Sequence, residues 1–153
     1  MKPPVGYELV AAILVTADAF LRESQRLFRP YGLSGAQYNL LNVVAEADAG
    51  LSQRALSDRL VVDRSNITGL IDRMEAAGWV ERRDDPGDRR AYRVQLTPAG
   101  RALWREVTPI YLAVVAQVTR GLPARRQTET VAVLRQLEQA ASAWKLPERA
   151  STR

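Results

Sequence analysis

One change of hydrophobic period, in the middle of the chain, severely restricts the possible folds. Apolar residues recur at helical spacing on both sides of residues 79–96, whereas inside that stretch they alternate as they do in strands. The segment DDPGD, residues 84–88, interrupts the alternation with acids and a Pro-Gly pair, which predicts a turn. A chain with this order must place one β-hairpin among helices.

Four helices are predicted before the hairpin, each with apolar residues at helical spacing. They cover about residues 7–28, 35–47, 53–60 and 64–77. Ser34, Ser52 and Asp63 are the predicted caps of the second, third and fourth helices, and Gly78 is the predicted end of the fourth.

The hairpin and two further helices complete the order. Its predicted strands are 79–83 and 89–96, with Val94 and Leu96 sharing one face with Tyr92, and its loop is expected to be too long for a two-residue turn. Two more helices begin near Thr97 and Pro123, the first with a proline in its first turn.

This order predicts a mainly α (α+β) fold: a winged helix-turn-helix with long flanking helices and a two-stranded β-hairpin wing. A chain of 153 residues fits one domain. We expect a DNA-binding lobe at 33–100, a helical dimerisation region at 1–32 and 101–146, and a disordered tail at 147–153. The flanking helices are apolar over much of their circumference, which favours a partner chain.

The absence of cysteine and histidine excludes several classes of function. Disulfides, thiol chemistry, the usual zinc sites and the usual general base of a nucleophilic enzyme all require these residues. We therefore predict neither an enzyme nor a cofactor nor a metal site. No apolar run reaches membrane-spanning length and no secretory signal is present, so a cytoplasmic protein without membrane contact is expected.

Charge alone says little about the partner. The net charge of +5 and the pI of about 10.1 are compatible with a polyanion. Between Arg54 and Arg93, however, nine arginines stand against eight acids. The placement of the charges must therefore carry the argument.

The fourth helix has two unlike faces. Ile67, Leu70, Ile71 and Met74 form an apolar stripe, and Gly69 lies opposite, at a helix-propensity cost of about 1 kcal/mol. The candidate DNA-contacting residues of this helix are Arg64, Ser65, Asn66, Thr68, Gly69 and Arg73. Their mostly short side chains suit base edges in a major groove, and Asn suits adenine; a plain solvated face is the alternative.

The hairpin tip is the second candidate contact. Arg89 and Arg90 directly follow the turn, with Arg82 and Arg83 on the preceding strand. An arginine at such a tip can enter the minor groove, and Asp88 is placed to accept hydrogen bonds that orient the tip. A solvated turn with cancelling charges fits the charge count equally well.

The stretch Leu51–Gly100 resembles the MarR (multiple antibiotic resistance regulator) family. The resemblance lies in LSQRALSDRL, VVDRSNITGLIDRMEAAGWVERR and DPGDRRAYRVQLTPAG, and its most specific part is Asp88-x-Arg90 followed by the segment LTPAG. LSGAQYNLL, residues 33–41, is similar to the second helix of the family.

The resemblance implies a homodimeric repressor or activator that binds double-stranded DNA, and of these two we favour the repressor. Two recognition helices, 64–77 of each copy, would enter successive major grooves of a pseudo-palindrome whose half-sites lie roughly 34 Å apart. Arg90 would enter the minor groove with Asp88 as its partner. A winged-helix module that binds another protein instead of DNA is the alternative.

The resemblance also implies a small aromatic or phenolic effector that releases DNA. Such compounds often bind between the dimer helices and the DNA-binding lobe in this family. The candidate residues here are Phe20, Arg22, Tyr38, Trp104 and Tyr111. We favour plain core or interface packing for the aromatic side chains among them and keep the effector site as the alternative.

Overall fold

The computed structural model describes residues 3–60 and 66–143, and at positions 89 and 90 the backbone alone. The elements described are α1 (Val5–Phe28), α2 (Gly35–Ala45), β1 (Leu51–Ser52), α3 (Gln53–Arg59), α4 (Ile67–Ala76), β2 (Val80–Asp85), β3 (Asp88–Leu96), α5 (Pro98–Thr119) and α6 (Ala124–Ala143). A 3-10 turn follows α1 at Arg29–Tyr31. The predicted order of helices around one hairpin is confirmed.

Two helices begin at the serines that the sequence indicates. Ser34 Oγ accepts a hydrogen bond from the Gln37 backbone N–H at 3.2 Å, and the Gln37 side chain accepts one from the Ser34 N–H at 2.7 Å. This reciprocal pair is a capping box. Ser52 Oγ accepts from the Ala55 N–H at 3.2 Å, while the predicted cap Asp63 lies outside the described residues.

Gly78 ends α4 and turns the chain into the hairpin. Its φ is +74°, a left-handed conformation that glycine adopts at low cost. The Gly78 N–H donates to the Glu75 carbonyl at 2.9 Å, and the Trp79 N–H donates to the Met74 carbonyl at 3.0 Å. Because β2 begins at Val80, this turn sets the position of the hairpin next to α4.

The sheet has three antiparallel strands in the order β1-β3-β2. The expectation of a two-stranded sheet was therefore incomplete. Leu51 and Ser52 pair with Val94 and Arg93, which ties the start of α3 to the hairpin. A two-residue strand has too few residues to show an alternating pattern, so the sequence did not reveal it.

The connection between β2 and β3 is shorter than predicted. Asp84 pairs with Tyr92 and Asp85 with Asp88, with an irregular register between the two acids of β2. Only the Pro-Gly pair at 86–87 is left as the loop. The prediction ended the first strand too early because aspartate is uncommon in strands.

The hydrophobic core lies between α2, α3, α4 and the sheet. Its buried residues are Phe28, Leu33, Tyr38, Leu40, Leu41, Val44, Leu56, Leu60, Ile67, Leu70, Ile71, Met74, Val80, Val94, Leu96 and Val107. The long helices before and after this region, α1 and α5, each contribute only one of these buried side chains, Phe28 and Val107. Most of the apolar surface of those helices stays exposed within one chain.

The chain divides into two compact units, residues 1–111 and 112–153, with the division inside α5. The candidate interface described below lies wholly in the first unit. The predicted domain boundaries stay predictions, and the predicted tail, 147–153, lies outside the described residues. Among the helices that the structure describes, none has the length and apolar character of a membrane span.

Candidate nucleic-acid interface

Helix α4 buries the apolar stripe that the sequence predicts. Ile67, Leu70, Ile71 and Met74 are each at most 3% exposed. The regular α4 begins at Ile67, and two of the predicted contacts, Arg64 and Ser65, lie outside the described residues. With one face held in the core, the opposite face must point outward.

The outward face carries most of the predicted contacts. Asn66, Thr68, Asp72 and Arg73 are exposed, and Gly69 is partly exposed. Four of these five residues have a short side chain or, in Gly69, none, which leaves the backbone accessible. The face therefore has the shape and the hydrogen-bonding groups for a close approach to another polar surface.

Gly69 has no structural requirement within the described part of the chain. A Cβ built there would meet Arg73 Nη1 at 3.4 Å and Asn66 Oδ1 at 3.8 Å, which are ordinary contacts. The residue is in a regular helix without a positive φ. The nearness of Nη1 also shows that the Arg73 guanidinium extends back along α4 toward its N-terminus, as helical side chains do.

Thr68 is held by the helix that precedes α4. The Gln53 side-chain amide donates to Thr68 Oγ1 at 2.6 Å. Because the threonine oxygen accepts in this bond, its own O–H remains able to donate. The bond fixes the side chain on the outward face and links α3 to α4.

The hairpin tip is organised by Asp85, a residue that the sequence analysis did not select. One carboxylate oxygen accepts from the Gly87 N–H at 2.8 Å, and the other accepts from Arg93 Nε at 2.7 Å. The Gly87 hydrogen bond, together with Arg93, lowers the pKa of Asp85. An aspartate two residues before a turn glycine is a known turn pattern and could have indicated this role.

The sequence analysis assigned the role of orienting the hairpin tip to Asp88, and that assignment stays a prediction. Asp88 pairs with Asp85 across the end of the hairpin and makes contacts of its own. Arg89 and Arg90 follow it in β3, where the structure describes their backbone. The tip thus places these two positions directly after a turn held by side-chain hydrogen bonds.

The other arginines of the hairpin are paired with acids. Arg82 pairs with Asp72 and Glu75 of α4, and Arg83 pairs with Glu81 at 2.6 Å. Arg82 and Arg83, which the sequence analysis noted on the strand before the tip, therefore each face a carboxylate in this structure.

Two of the predicted effector residues meet in an aromatic cluster of the core. The Tyr38 ring stacks on Phe28 with centroids 4.4 Å apart and lies 5.0 Å from Tyr111. The Tyr38 hydroxyl donates to Thr108 Oγ1 at 3.2 Å. Burial raises the pKa of Tyr38, so this phenol stays protonated at neutral pH. These contacts agree with the packing interpretation.

The remaining three effector candidates lie elsewhere. Trp104 Nε1 donates to Asn42 Oδ1 at 3.1 Å, which joins α5 to α2. Phe20 is 55% exposed on α1, and Arg22 is an exposed partner of Asp18.

Two open clefts of about 370 and 380 Å³ lie in the first unit. Neither is lined by any of the five effector candidates. The first lies between the start of α2 and the outward flank of α4, and its lining residues are Ser34, Ala36, Gln37, Asn66, Leu70 and Arg73.

Helices α3 and α4 with the β2–β3 hairpin form a winged helix-turn-helix. In this class of DNA-binding protein the second helix of the pair is the recognition helix, which lies in the major groove. Helix α4 occupies that position here.

Comparisons with known proteins agree with this class. A family model described as MarR family matches residues 31–91. The HTH-type transcriptional regulator PecS of Dickeya dadantii is 28% identical over 119 residues, which cover 76% of this chain and 72% of PecS. A solved structure of mutant MarR from E. coli, complexed with operator DNA, is 25% identical with a TM-score of 0.75, covering 85% of this chain and 93% of that one. Bordetella bronchiseptica BpsR, whose DNA binding is regulated by 6-hydroxynicotinic acid, is 26% identical with a TM-score of 0.73, covering 88% of this chain and 93% of BpsR.

Residues 31–91 of this chain are thus similar to the MarR family, and the chain has the fold of MarR-type transcriptional regulators. The resemblance seen in its sequence is confirmed. The relatives found are regulators and not enzymes, in keeping with the class assigned from the residues.

Proposed function

We propose that this protein is a homodimeric repressor that binds a pseudo-palindromic DNA operator. The single observation that carries the proposal is the outward face of α4, on which a glycine that folding does not require is flanked by Thr68 and Arg73. A glycine there has a use where another backbone approaches closely.

In the major groove, this face would supply the sequence-specific contacts. Asn66 and Thr68 have donors and acceptors that match base edges, and Arg73 can reach guanine or phosphate. Arg64 and Ser65, which precede the described part of α4, would add contacts at its positive end.

In the minor groove, the hairpin would supply Arg90, with Arg89 beside it. Support comes from the tip, where Asp85 holds the turn directly before these positions. A prepared turn reduces the ordering cost of inserting an arginine into a narrow groove of high negative potential.

Dimer formation is supported by the apolar surface that a single chain leaves open. The large exposed hydrophobic residues of α1 are Val5, Tyr7, Leu9, Val10, Leu14, Val15, Phe20 and Leu21. Helices α5 and α6 expose nine more, counting the turn between them. Exposed apolar residues in such number are typical of sites for another protein, and a second copy supplies the second recognition helix that a two-half-site palindrome requires.

The test is fluorescence anisotropy with DNA from upstream of the protein's own gene, against random DNA, at two salt concentrations. Specific binding that weakens steeply with salt is expected. Arg90→Ala should weaken operator binding by about tenfold or more, whereas Arg126→Ala, an exposed arginine of α6, should leave it unchanged. A folded dimer that binds neither DNA would instead support the protein-interaction alternative.

We further propose that an aromatic or phenolic effector releases the DNA. The closed aromatic cluster of Phe28, Tyr38 and Tyr111 is the proposed site, and the rings would have to separate to accept such a compound. The regulation of BpsR by a hydroxylated aromatic acid supports the effector class. Small phenols titrated into the protein–operator complex should lower its anisotropy, and no response across a phenol series would contradict this part.

A further inference from the structure

Arg82 joins the hairpin to the recognition helix through both its side chain and its backbone. Its guanidinium donates to Asp72 and to Glu75, which lie three residues apart on α4. Its backbone N–H also donates to Glu75 Oε1 at 3.0 Å. The Arg82 side chain is only 22% exposed, so these bonds lie in the angle between β2 and α4.

The contacts continue across the sheet and return to the same helix. The Arg82 guanidinium lies 5.0 Å from the centre of the Tyr92 ring on β3. The Tyr92 hydroxyl donates to Gln53 of α3, whose amide donates to Thr68 of α4. Thr68 and Asp72 are four residues apart, on one side of α4. These hydrogen bonds and the Arg82–Tyr92 contact, closed by the helical turn between Thr68 and Asp72, therefore form a ring that links α4, β2, β3 and α3.

Arg82 keeps its positive charge, and that charge compensates two neighbouring carboxylates. Burial alone would lower the pKa of Arg82, but its hydrogen bonds to Asp72, Tyr92 and Glu75 outweigh that effect and raise it. Without this arginine, α4 would present two uncompensated carboxylates beside the face that is proposed to meet DNA phosphates. Arg82 thus neutralises these acids where they stand.

We infer that Arg82 is a positioning residue for DNA binding, an inference that rests on the proposed function. Arg82 does not contact DNA. It holds the hairpin at the angle to α4 at which the hairpin and the helix can enter neighbouring grooves at the same time. Its hydrogen bonds to two different acids of α4 and its contact with Tyr92 fix that angle.

The primary test compares Arg82→Met with Arg83→Met. Arg83 is the next residue of the strand, is 62% exposed, and pairs with Glu81 of its own strand. Operator affinity should fall by about tenfold or more in Arg82→Met and by less than about threefold in Arg83→Met. Both variants should fold, because Asp72 and Glu75 are 57% and 38% exposed and can be hydrated; circular dichroism checks this.

A double-mutant cycle with Arg90→Ala separates positioning from a general loss of stability. If Arg82 acts by placing the wing, Arg90→Ala should cost about tenfold in the wild type but less than about threefold in the Arg82→Met background. The full tenfold cost should persist in the Arg83→Met background. Equal costs in all three backgrounds would overturn the inference.

A measurement without DNA keeps the inference distinct from the proposed function. Amide hydrogen exchange of 80–96 should speed up in Arg82→Met and stay unchanged in Arg83→Met. If the wild type binds no DNA, the proposed function fails and the positioning role for DNA fails with it, even if hydrogen exchange shows that Arg82 holds the hairpin against α4. If the wild type binds but exchange at the hairpin is the same in both variants, only the inference fails. Arg82→Lys, which keeps the charge but not the fork, should give an intermediate result.

Discussion

At the scale of single residues, function and folding make opposite demands on Gly69. Gly69 is the third residue of α4, where alanine is a better helix former than glycine, and its neighbours leave room for a methyl group. A residue that lowers stability and makes no contact that folding requires indicates a role in binding another molecule. The two demands can be separated by one substitution.

Gly69→Ala should stabilise the protein by at most about 1 kcal/mol in chemical denaturation, since the full value applies to a helix interior and Gly69 lies in the first turn. It should also weaken operator binding by about tenfold, because the added methyl group would stand between α4 and the groove. Gly6→Ala, in α1 with no atom within 4 Å of the new Cβ, is the matched control. That variant should keep full affinity. Stabilisation by Gly69→Ala without loss of binding would show that DNA does not approach this residue.

Asp85 is a second residue with a defined local role, and its role depends on pH. Its folded-state pKa is lowered, first by the Gly87 N–H and then by Arg93. A lowered folded pKa means that the charged form adds stability above the unfolded pKa of about 3.9, and that this stability is lost as the pH falls through the lower folded value.

The Gly87 amide proton should therefore titrate, in NMR spectra, with a midpoint below about pH 3.9. The turn should be intact throughout the range in which DNA binding is measured. Asp85→Asn keeps an acceptor for the Gly87 N–H but cannot titrate, so its Gly87 resonance should not shift with pH. A wild-type midpoint at or above the ordinary value would mean that the turn does not favour the carboxylate.

At the scale of elements, the junction between hairpin and α5 is a closely packed contact. Thr97 Oγ1 donates to the Gly78 carbonyl at 2.6 Å and accepts from the Gly100 N–H at 3.0 Å. The Thr97 N–H donates to the Trp79 carbonyl at 3.1 Å. The first turn of α5 thus lies directly against the backbone that begins β2.

Gly100→Ala should destabilise the protein by about 3 kcal/mol or more, because overpacking against backbone cannot be relieved by a rotamer change. A Cβ at this position would overlap the Trp79 carbonyl oxygen and lie 2.8 Å from the carbonyl carbon. Thermal unfolding measures the effect. Gly121→Ala, where no atom lies within 4 Å, should cost little. Near-wild-type stability of Gly100→Ala would show that the junction can move apart.

At the scale of the whole molecule, the apolar surface of α1 is the main unexplained feature of the single chain. Leu14 is 65% exposed and Leu21 is 66% exposed, values that are costly for such residues in water. The proposed dimer would cover them. Because each copy would bind one half-site of the operator, DNA affinity should depend on that assembly.

Leu14→Glu should convert the dimer to a monomer in sedimentation equilibrium. Operator affinity should then fall by about a hundredfold or more, since the second half-site no longer binds within the same complex. Thr16→Glu, an exposed position of the same helix with the same added charge, should remain dimeric and bind normally. A wild-type monomer at micromolar concentration would contradict the two-half-site proposal.

Local patterns carried much of the fold. The Ser34 and Ser52 caps, the end of α4 at Gly78 and the buried stripe of α4 depend on residues a few positions apart, and the structure shows each of them where it was predicted. The motifs around Asp88 and Arg90 were sufficient to indicate the resemblance to the MarR family. These features follow from backbone conformation and helical period, which short segments express by themselves.

Features that join distant segments could not be derived in this way. The pairing of β1 with β3, the tip contact of Asp85 with Arg93 and the ring from Arg82 through Gln53 to Thr68 each depend on the register of two or more elements. The numbers of arginines and acids between Arg54 and Arg93 follow from the sequence. The direction in which each charged side chain points does not, because packing selects its partner. The local order of helices and strands thus defines the winged helix, and the motifs between residues 51 and 100 indicate the family that it resembles. Three-dimensional packing determines which arginines are already paired with acids and which positions can face DNA.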